Sequence, residues 1–374
     1  MKRIAIFCDG TWNGLDRHRP THVLGLARAV PPTAPDGVKQ VVFYLQGVGT
    51  GRGSSAVARG LDRILGGAFG WGLTATIEEA FRALVFTHEP GDEIHIFGFS
   101  RGAYTARSLV GLIRAAGIPL RAQAAAIPDA IAHYRARGPE THPNSEVSFR
   151  FRLRVSPHLV TSTEEEAWRR GTGGPDAPRL RVAYLGVWDT VGALGLPGVF
   201  GALARRVNRQ YAFHDADLSR MVASARHAVA LDERRRLYPP TLWENLDALN
   251  GDADPAARCY LQHWFPGNHG IVGGSGPAPG LGAAAALWVA EGAAAGGLAF
   301  EPGTLETLAR AADPLESGVR LAQVAGPGNL LGLWLADRDG PDQADDVSAT
   351  ARARVAGLPS YRPASLRRVR DALG

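Results

Sequence analysis

Short apolar runs alternate with stretches of helical period through the first third of the chain. Arg3–Cys8 reads as a buried strand that stops at Asp9-Gly10-Thr11, a loop signal. His22–Val30 has helical spacing and ends at Pro31-Pro32, and Val41–Leu45 predicts a second strand. In Leu73–Thr87, Ile77, Ala80, Phe81 and Leu84 recur on one helical face. Glu93–Gly98 predicts a third strand, followed by a helix over Gly102–Ala116 that Gly117 ends. Strands alternating with helices predict parallel βαβ units.

That alternation breaks at about 119–177, where Pro119, Pro128, Pro139, Pro143 and Pro157 fall. Inside this stretch Phe149-Arg150-Phe151-Arg152-Leu153-Arg154-Val155 alternates strictly. The pattern predicts a strand with one apolar face and one face of Arg150, Arg152 and Arg154. Leu180–Trp188 is a further buried strand that ends at Asp189-Thr190, and loop and helix follow to about Leu231. Tyr260–Phe265 is another strand, ending at Pro266-Gly267-Asn268-His269, and Leu281–Phe300 reads as an Ala-rich buried helix with its turn. The fold class is therefore α/β, a doubly wound and mainly parallel sheet over residues 1–300. It carries cap-like insertions at about 119–177 and 193–225, and residues 301–374 form a helical tail packed on the core.

Composition narrows the function classes. The chain has 374 residues, of which 45% are hydrophobic and 21% charged, ordinary usage for a globular protein with a sizeable core. Of the 41 lysines and arginines only Lys2 and Lys39 are lysines, a bias that GC-rich coding would produce. The net charge of +5 is spread among acids rather than gathered into a basic arm, which argues against a nucleic-acid partner. Cys8 and Cys259 stand far apart, with no disulfide framework or cysteine metal site, and no cofactor is called for. The apolar run Ile4–Cys8 is too short for a signal peptide, and Leu281–Phe300 carries Glu291, against a membrane span. The expected location is the cytoplasm of the producing cell.

The chemistry is announced by Gly98-Phe99-Ser100-Arg101-Gly102, a G-x-S-x-G pattern between an apolar strand and a helix. A serine on that sharp turn is held exposed, with the following amide, that of Arg101, aimed at an oxyanion; this makes the fold α/β-hydrolase-like. Serine needs a base, and the base an orienting acid. On such a fold they follow in the order acid, then histidine, and Asp189 and His269 both stand just after strands. Each also has a plainer reading, Asp189 as a turn or cap residue and His269 as a loop histidine. The loop Asp9-Gly10-Thr11 is placed to give a second oxyanion donor, Gly10 or Thr11, or else forms a simple turn. Gly47-Val48-Gly49-Thr50-Gly51 lacks the ending of a phosphate loop and reads as a flexible wall of the site mouth. Asp9, Gly49 and Thr50 thus join Arg150, Arg152 and Arg154 as candidate substrate contacts.

Seven blocks together resemble a known family. They are Phe7–Asn13, Gly47–Gly51, Gly98–Ala103, Gly186–Gly192, Phe213-His214-Asp215, His227–Arg235 and Trp264–His269. The chain looks like a member of the mostly uncharacterised α/β-hydrolase domains that include phospholipase effectors of bacterial type VI secretion. The resemblance implies a lipase-like Ser100–Asp189–His269 site, esterase or phospholipase activity, and export by type VI secretion. It also raises peripheral membrane contact and an immunity or secretion partner. One departure stands out: relatives read Ser-Asp-Val-Gly-Gly-Gly after the histidine, where this chain has Gly270-Ile271-Val272-Gly273-Gly274-Ser275. Ile271 replaces a carboxylate, which puts full activity in question. His227 and Asp232 form a rival pair, with Asp232 an alternative acid. The leading function is a serine hydrolase of lipid esters. A hydrolase of small soluble esters and a non-catalytic binding or assembly protein on the same scaffold remain as alternatives.

Overall fold

The structure is a computed structural model, and it describes residues 1–11, 13–15, 19–47, 67–136, 138–192, 217–322 and 335–373. Six parallel strands, β1 (Lys2–Cys8), β2 (Lys39–Leu45), β3 (Glu93–Phe99), β4 (Val182–Trp188), β5 (Ala225–Ala230) and β6 (Tyr260–Phe265), form one sheet. Their order is β2-β1-β3-β4-β5-β6. The chain winds first to one side of β1 and then to the other, so the sheet is doubly wound as the alternation predicts.

Apolar residues occupy consecutive positions in the central strands because both faces of the sheet are covered. Ile4, Ile6, Ile94, Ile96 and Leu185 pack on one side against α2 (Gly67–Thr87) and α3 (Arg101–Ala116), through Phe81, Leu84, Leu109 and Ile113. Ala5, Phe7, Phe97, Tyr184 and Trp188 face the other way. They meet α1 (His22–Arg28) and the Ala-rich helix Pro279–Ala295. Small residues let that helix lie close to the sheet, and Tyr184 Oη and Trp188 Nε1 donate to its carbonyls at Val289 (2.7 Å) and Ala285 (3.3 Å).

Two readings of the pattern are corrected. Phe149–Val155 is not a strand. After α4 (Ile127–Arg135), residues Glu146–Val155 form helix α5, followed by α6 (Thr163–Gly171). Ser145 caps α5 by accepting from the Ser148 amide, and Glu146 favours its first turn. The strict alternation yields to helical spacing, with Phe149, Arg152 and Val155 buried on one face and Arg150 and Arg154 exposed. Arg152 therefore lies on the face opposite Arg150 and Arg154. Arg152 is fully buried, pairs with Glu165 (2.7 Å) and donates to the Arg114 and Ala115 carbonyls at the end of α3 (both 3.0 Å).

The second correction is β5, which lies inside a region read as loop and helix. Ala225-Arg226-His227-Ala228-Val229-Ala230 has weak strand propensity, and its place is set by pairing with β4 and β6. Residues 193–216 of the second expected insertion lie outside the described residues. Beyond β5 come α7 (Leu246–Asn250), α8 (His269–Val272) and α9, the Ala-rich Pro279–Ala295, then α10 (Thr304–Ala311) and α11 (Ala349–Gly357). Val347, Ala351, Val355, Leu366 and Val369 pack on Val229, Leu231 and Trp264 near the β6 edge.

Candidate active site

The loops that follow β1, β3, β4 and β6 meet at the carboxyl edge of the sheet, beside the point where the strand order reverses. Ser100 follows β3 directly and precedes α3, with φ 59° and ψ −123°. That conformation is costly for a residue with a side chain and holds its hydroxyl clear of the strand. The flanking glycines are demanded by contact. A Cβ on Gly98 would stand 2.4 Å from the Gly102 carbonyl oxygen, and one on Gly102 2.1 Å from that of Cys8.

Ser100 Oγ lies 2.8 Å from His269 Nε2, and His269 Nδ1 lies 2.6 Å from Asp189 Oδ2. All three residues are buried. The carboxylate at Nδ1 fixes the proton there, leaving Nε2 as the acceptor for the serine hydroxyl. Burial lowers the pKa of His269, partly opposed by the hydrogen bond and charge of Asp189, so the ring is neutral near pH 7. Burial alone would raise the pKa of Asp189. The Arg338 charge and the His269 hydrogen bond reverse that and hold it far below the usual carboxylate range.

Each of these residues is fixed by its neighbours. Asp189 also has positive φ, 39°, and Oδ1 accepts from the Ala230 amide at 2.9 Å. The next amide, Thr190, donates to His227 Nε2 (3.2 Å), while His227 Nδ1 faces Gln262 Oε1 (2.9 Å). His227 is thus a neutral buried support whose pKa burial pushes down to about 3. His269 opens α8, where Asn268 caps the Gly270 and Ile271 amides. Its own amide donates to Glu233 (3.2 Å), and its ring lies between Phe99 and Tyr238.

The alternative acid stands elsewhere. Asp232 accepts from the Gly267 amide (2.6 Å) and from Tyr361 Oη (2.8 Å), anchoring the turn that delivers His269. Ile271 is buried with Ala278, Leu281 and Leu321, so this position after the histidine serves apolar packing.

At the end of β1, Asp9 is buried and accepts from Gly10 N (2.7 Å), Thr21 Oγ1 (2.7 Å) and Tyr44 Oη (2.6 Å). Burial raises its pKa against those three hydrogen bonds, and the carboxylate acts as a clamp on the loop. The Gly10 amide is committed to that clamp. Thr11 lies on the wall of a cavity of about 480 Å³ shared with Ser100 and His269, which makes its amide the candidate partner of the Arg101 amide. Arg19, Arg101 and Arg235 line the same cavity. Gly49 and Thr50 lie outside the described residues, and Arg150, Arg152 and Arg154 belong to α5, away from this cavity. Among the described residues no group of three His, Cys, Asp or Glu side chains is arranged to hold a metal ion.

Sequence reasoning missed three contributors. Glu233 sits in a segment read only as a block of the resemblance, Tyr238 in a stretch between Arg235 and Tyr260 that the pattern leaves unassigned, and Arg338 in the tail with no local signal at all. Hydroxyl, imidazole and carboxylate thus stand in one hydrogen-bonded line beside the cavity, an arrangement capable of acyl-transfer chemistry.

Residues 2–291 match the family model described as the type VI secretion phospholipase effector Tle1-like catalytic domain. The chain belongs to that family. An uncharacterized protein of Saccharomyces cerevisiae is 28% identical to this Tle1-like chain over 242 residues, covering 63% of this chain and 31% of the yeast protein. Among solved structures, an uncharacterized protein from Pseudomonas aeruginosa matches with TM-score 0.40 and 14% identity, covering 81% of this chain and 47% of that one. A Tle1 effector bound to the VgrG spike of the type VI secretion system matches with TM-score 0.39 and 17% identity, covering 73% and 50%. The Tle1-like chain therefore spans about a third to a half of the length of these proteins.

Proposed function

We propose that this Tle1-like chain is a serine hydrolase that cleaves carboxylic esters of phospholipids through an acyl-enzyme. The supporting observation is the unbroken line of contacts from Ser100 through His269 to Asp189, at 2.8 and 2.6 Å, on the wall of an open cavity. Ser100 Oγ attacks the ester carbonyl while its proton passes to His269 Nε2. Asp189 steadies the imidazolium, and the Arg101 and Thr11 amides receive the charge that develops on the carbonyl oxygen. His269 returns the proton to the leaving alcohol. Water then attacks the acyl group on Ser100, with His269 again the base, and the fatty acid departs.

A phospholipid substrate is favoured over a small neutral ester by the family and by the rim. Arg19, Arg101 and Arg235 line the cavity and make its wall cationic, chemistry suited to a phosphate head group. Arg235 is held by the Glu233 carboxylate (2.8 Å) and stacks over Tyr238 (4.0 Å). Contact with a membrane surface and delivery by a type VI spike, with a cognate immunity protein in the producer, are the corresponding proposals for partners. No helix among the described residues is long and apolar enough to cross a membrane.

The test is release of fatty acid from phospholipid vesicles by the wild type and by Ser100→Ala. The wild type is expected to release fatty acid and lysophospholipid, and Ser100→Ala to fall to background. Release that persists in Ser100→Ala overturns the assignment of the nucleophile.

A further inference from the structure

We propose that Arg338 is a positioning residue of this site, which fixes the Asp189 carboxylate towards His269 and sets how readily that pair takes up a proton. The inference rests on the serine-hydrolase reading above. Arg338 Nη1 donates to Asp189 Oδ1 at 2.6 Å and Nη2 to Oδ2 at 3.0 Å, a two-point fork on a wholly buried carboxylate. Nη1 also donates to the Ala230 carbonyl and Nη2 to the Tyr238 carbonyl, both at 2.8 Å. Arg338 is itself buried, 7% exposed, so solvent does little to screen its charge.

The arginine is delivered by a segment tied to the core. Leu335 bridges Arg235 in antiparallel fashion, the Ala336 amide donates to the Arg234 carbonyl (2.7 Å), and Asp337 pairs with Arg234 (2.8 Å). All of this lies beyond residue 291, where the family match ends. The tail therefore supplies a charged group to a site whose other members come from the matched domain.

A fixed cation on the acid has a defined electrostatic consequence. Groups facing His269 are Asp189 from the end of β4, and Glu233, Arg235 and Tyr238 from the segment after β5. Asp189 faces His227 of β5, which is neutral, Arg235 from the segment after β5, and Arg338 of the tail. Arg338 neutralises part of the carboxylate charge that would otherwise hold a proton on the imidazole. Removing it makes the Asp189–His269 pair a stronger proton acceptor, whichever member carries the proton. The acid side of the reaction's pH profile then moves to higher pH.

The test measures the second-order rate of Ser100 labelling by a fluorophosphonate from pH 4 to 9 in the wild type, Arg338→Met and Arg338→Lys, each checked for cooperative melting. Arg338→Met is expected to shift the acid limb upward by ~1 pH unit. Arg338→Lys, which keeps the charge but not the fork, leaves the limb in place and slows labelling by ~10-fold. A folded Arg338→Met with an unmoved limb overturns the proposal, since a purely structural role would lower the melting temperature alone. If Arg338→Met does not fold, Arg338→Lys decides: wild-type rate and limb overturn the proposal. Absence of labelling in the wild type would instead refute the serine-hydrolase reading.

Discussion

Ser100 and Asp189 are the two non-glycine residues with positive φ among the described residues, and both stand in the candidate site. Backbone strain of this kind persists only where surrounding contacts enforce it. Here the Ser100 amide donates to the Trp188 carbonyl (3.0 Å) and the Asp189 amide to that of Ala228 (2.7 Å). Asp189→Asn is expected to retain the fold and lose ~10³–10⁴ in kcat, because an amide at that place favours the wrong imidazole tautomer; steady-state kinetics on a soluble ester check it. Ile271→Asp puts a carboxylate among Ala278, Leu281 and Leu321. It is expected to lower the melting temperature without raising activity, as read by calorimetry beside the same ester assay. Ser100 was legible because its signal is local, a strand, five residues and a helix. Arg338 was not, since its partner Asp189 lies 149 positions away and nothing in the intervening pattern links them.

At the scale of elements, α5 shows how local periodicity misleads. Alternation of Phe and Arg over seven residues fits a strand, but the cap at Ser145 and the burial of Arg152 favour a helix. The buried group Arg152–Glu165–Arg169 joins α5 to α6, and Arg152 also satisfies carbonyls at the end of α3. Breaking this network leaves a buried charge unpaired, so Glu165→Gln is expected to cost ~3–5 kcal/mol in a denaturant titration. Arg150→Ala, which removes only an exposed pair with Glu146, is expected to change stability by less than ~0.5 kcal/mol in the same titration. Strands β1, β2, β3 and β4 carry dense runs of apolar residues, and β6 is marked by Trp264-Phe265 before Pro266-Gly267. β5 bears neither mark, because alanine, arginine and histidine carry little strand signal and its register comes from neighbours on both sides.

Across the whole molecule, the doubly wound order was implied by the βαβ alternation, while the side-chain bridges from tail to site required the folded chain. The interior also sets a pH response. Burial lowers the pKa of His22, His88 and His263 to about 4 and of His95 and His227 to about 3. The unfolded chain therefore binds more protons than the folded one between these values and about 6.5. Stability from these groups is complete above about pH 6.5 and is lost as pH falls towards 3. Thermal melts taken from pH 7 to pH 4 are expected to show a steadily falling midpoint; a midpoint that rises on acidification would contradict the buried neutral state of these rings.

The assignment of Ser100 as an activated nucleophile is tested by covalent capture at neutral pH followed by peptide mapping. A fluorophosphonate adduct on Ser100 is expected in the wild type, none in Ser100→Ala, and strongly slowed capture in His269→Ala. An adduct on another residue, or no adduct on a correctly folded wild type, would contradict that assignment.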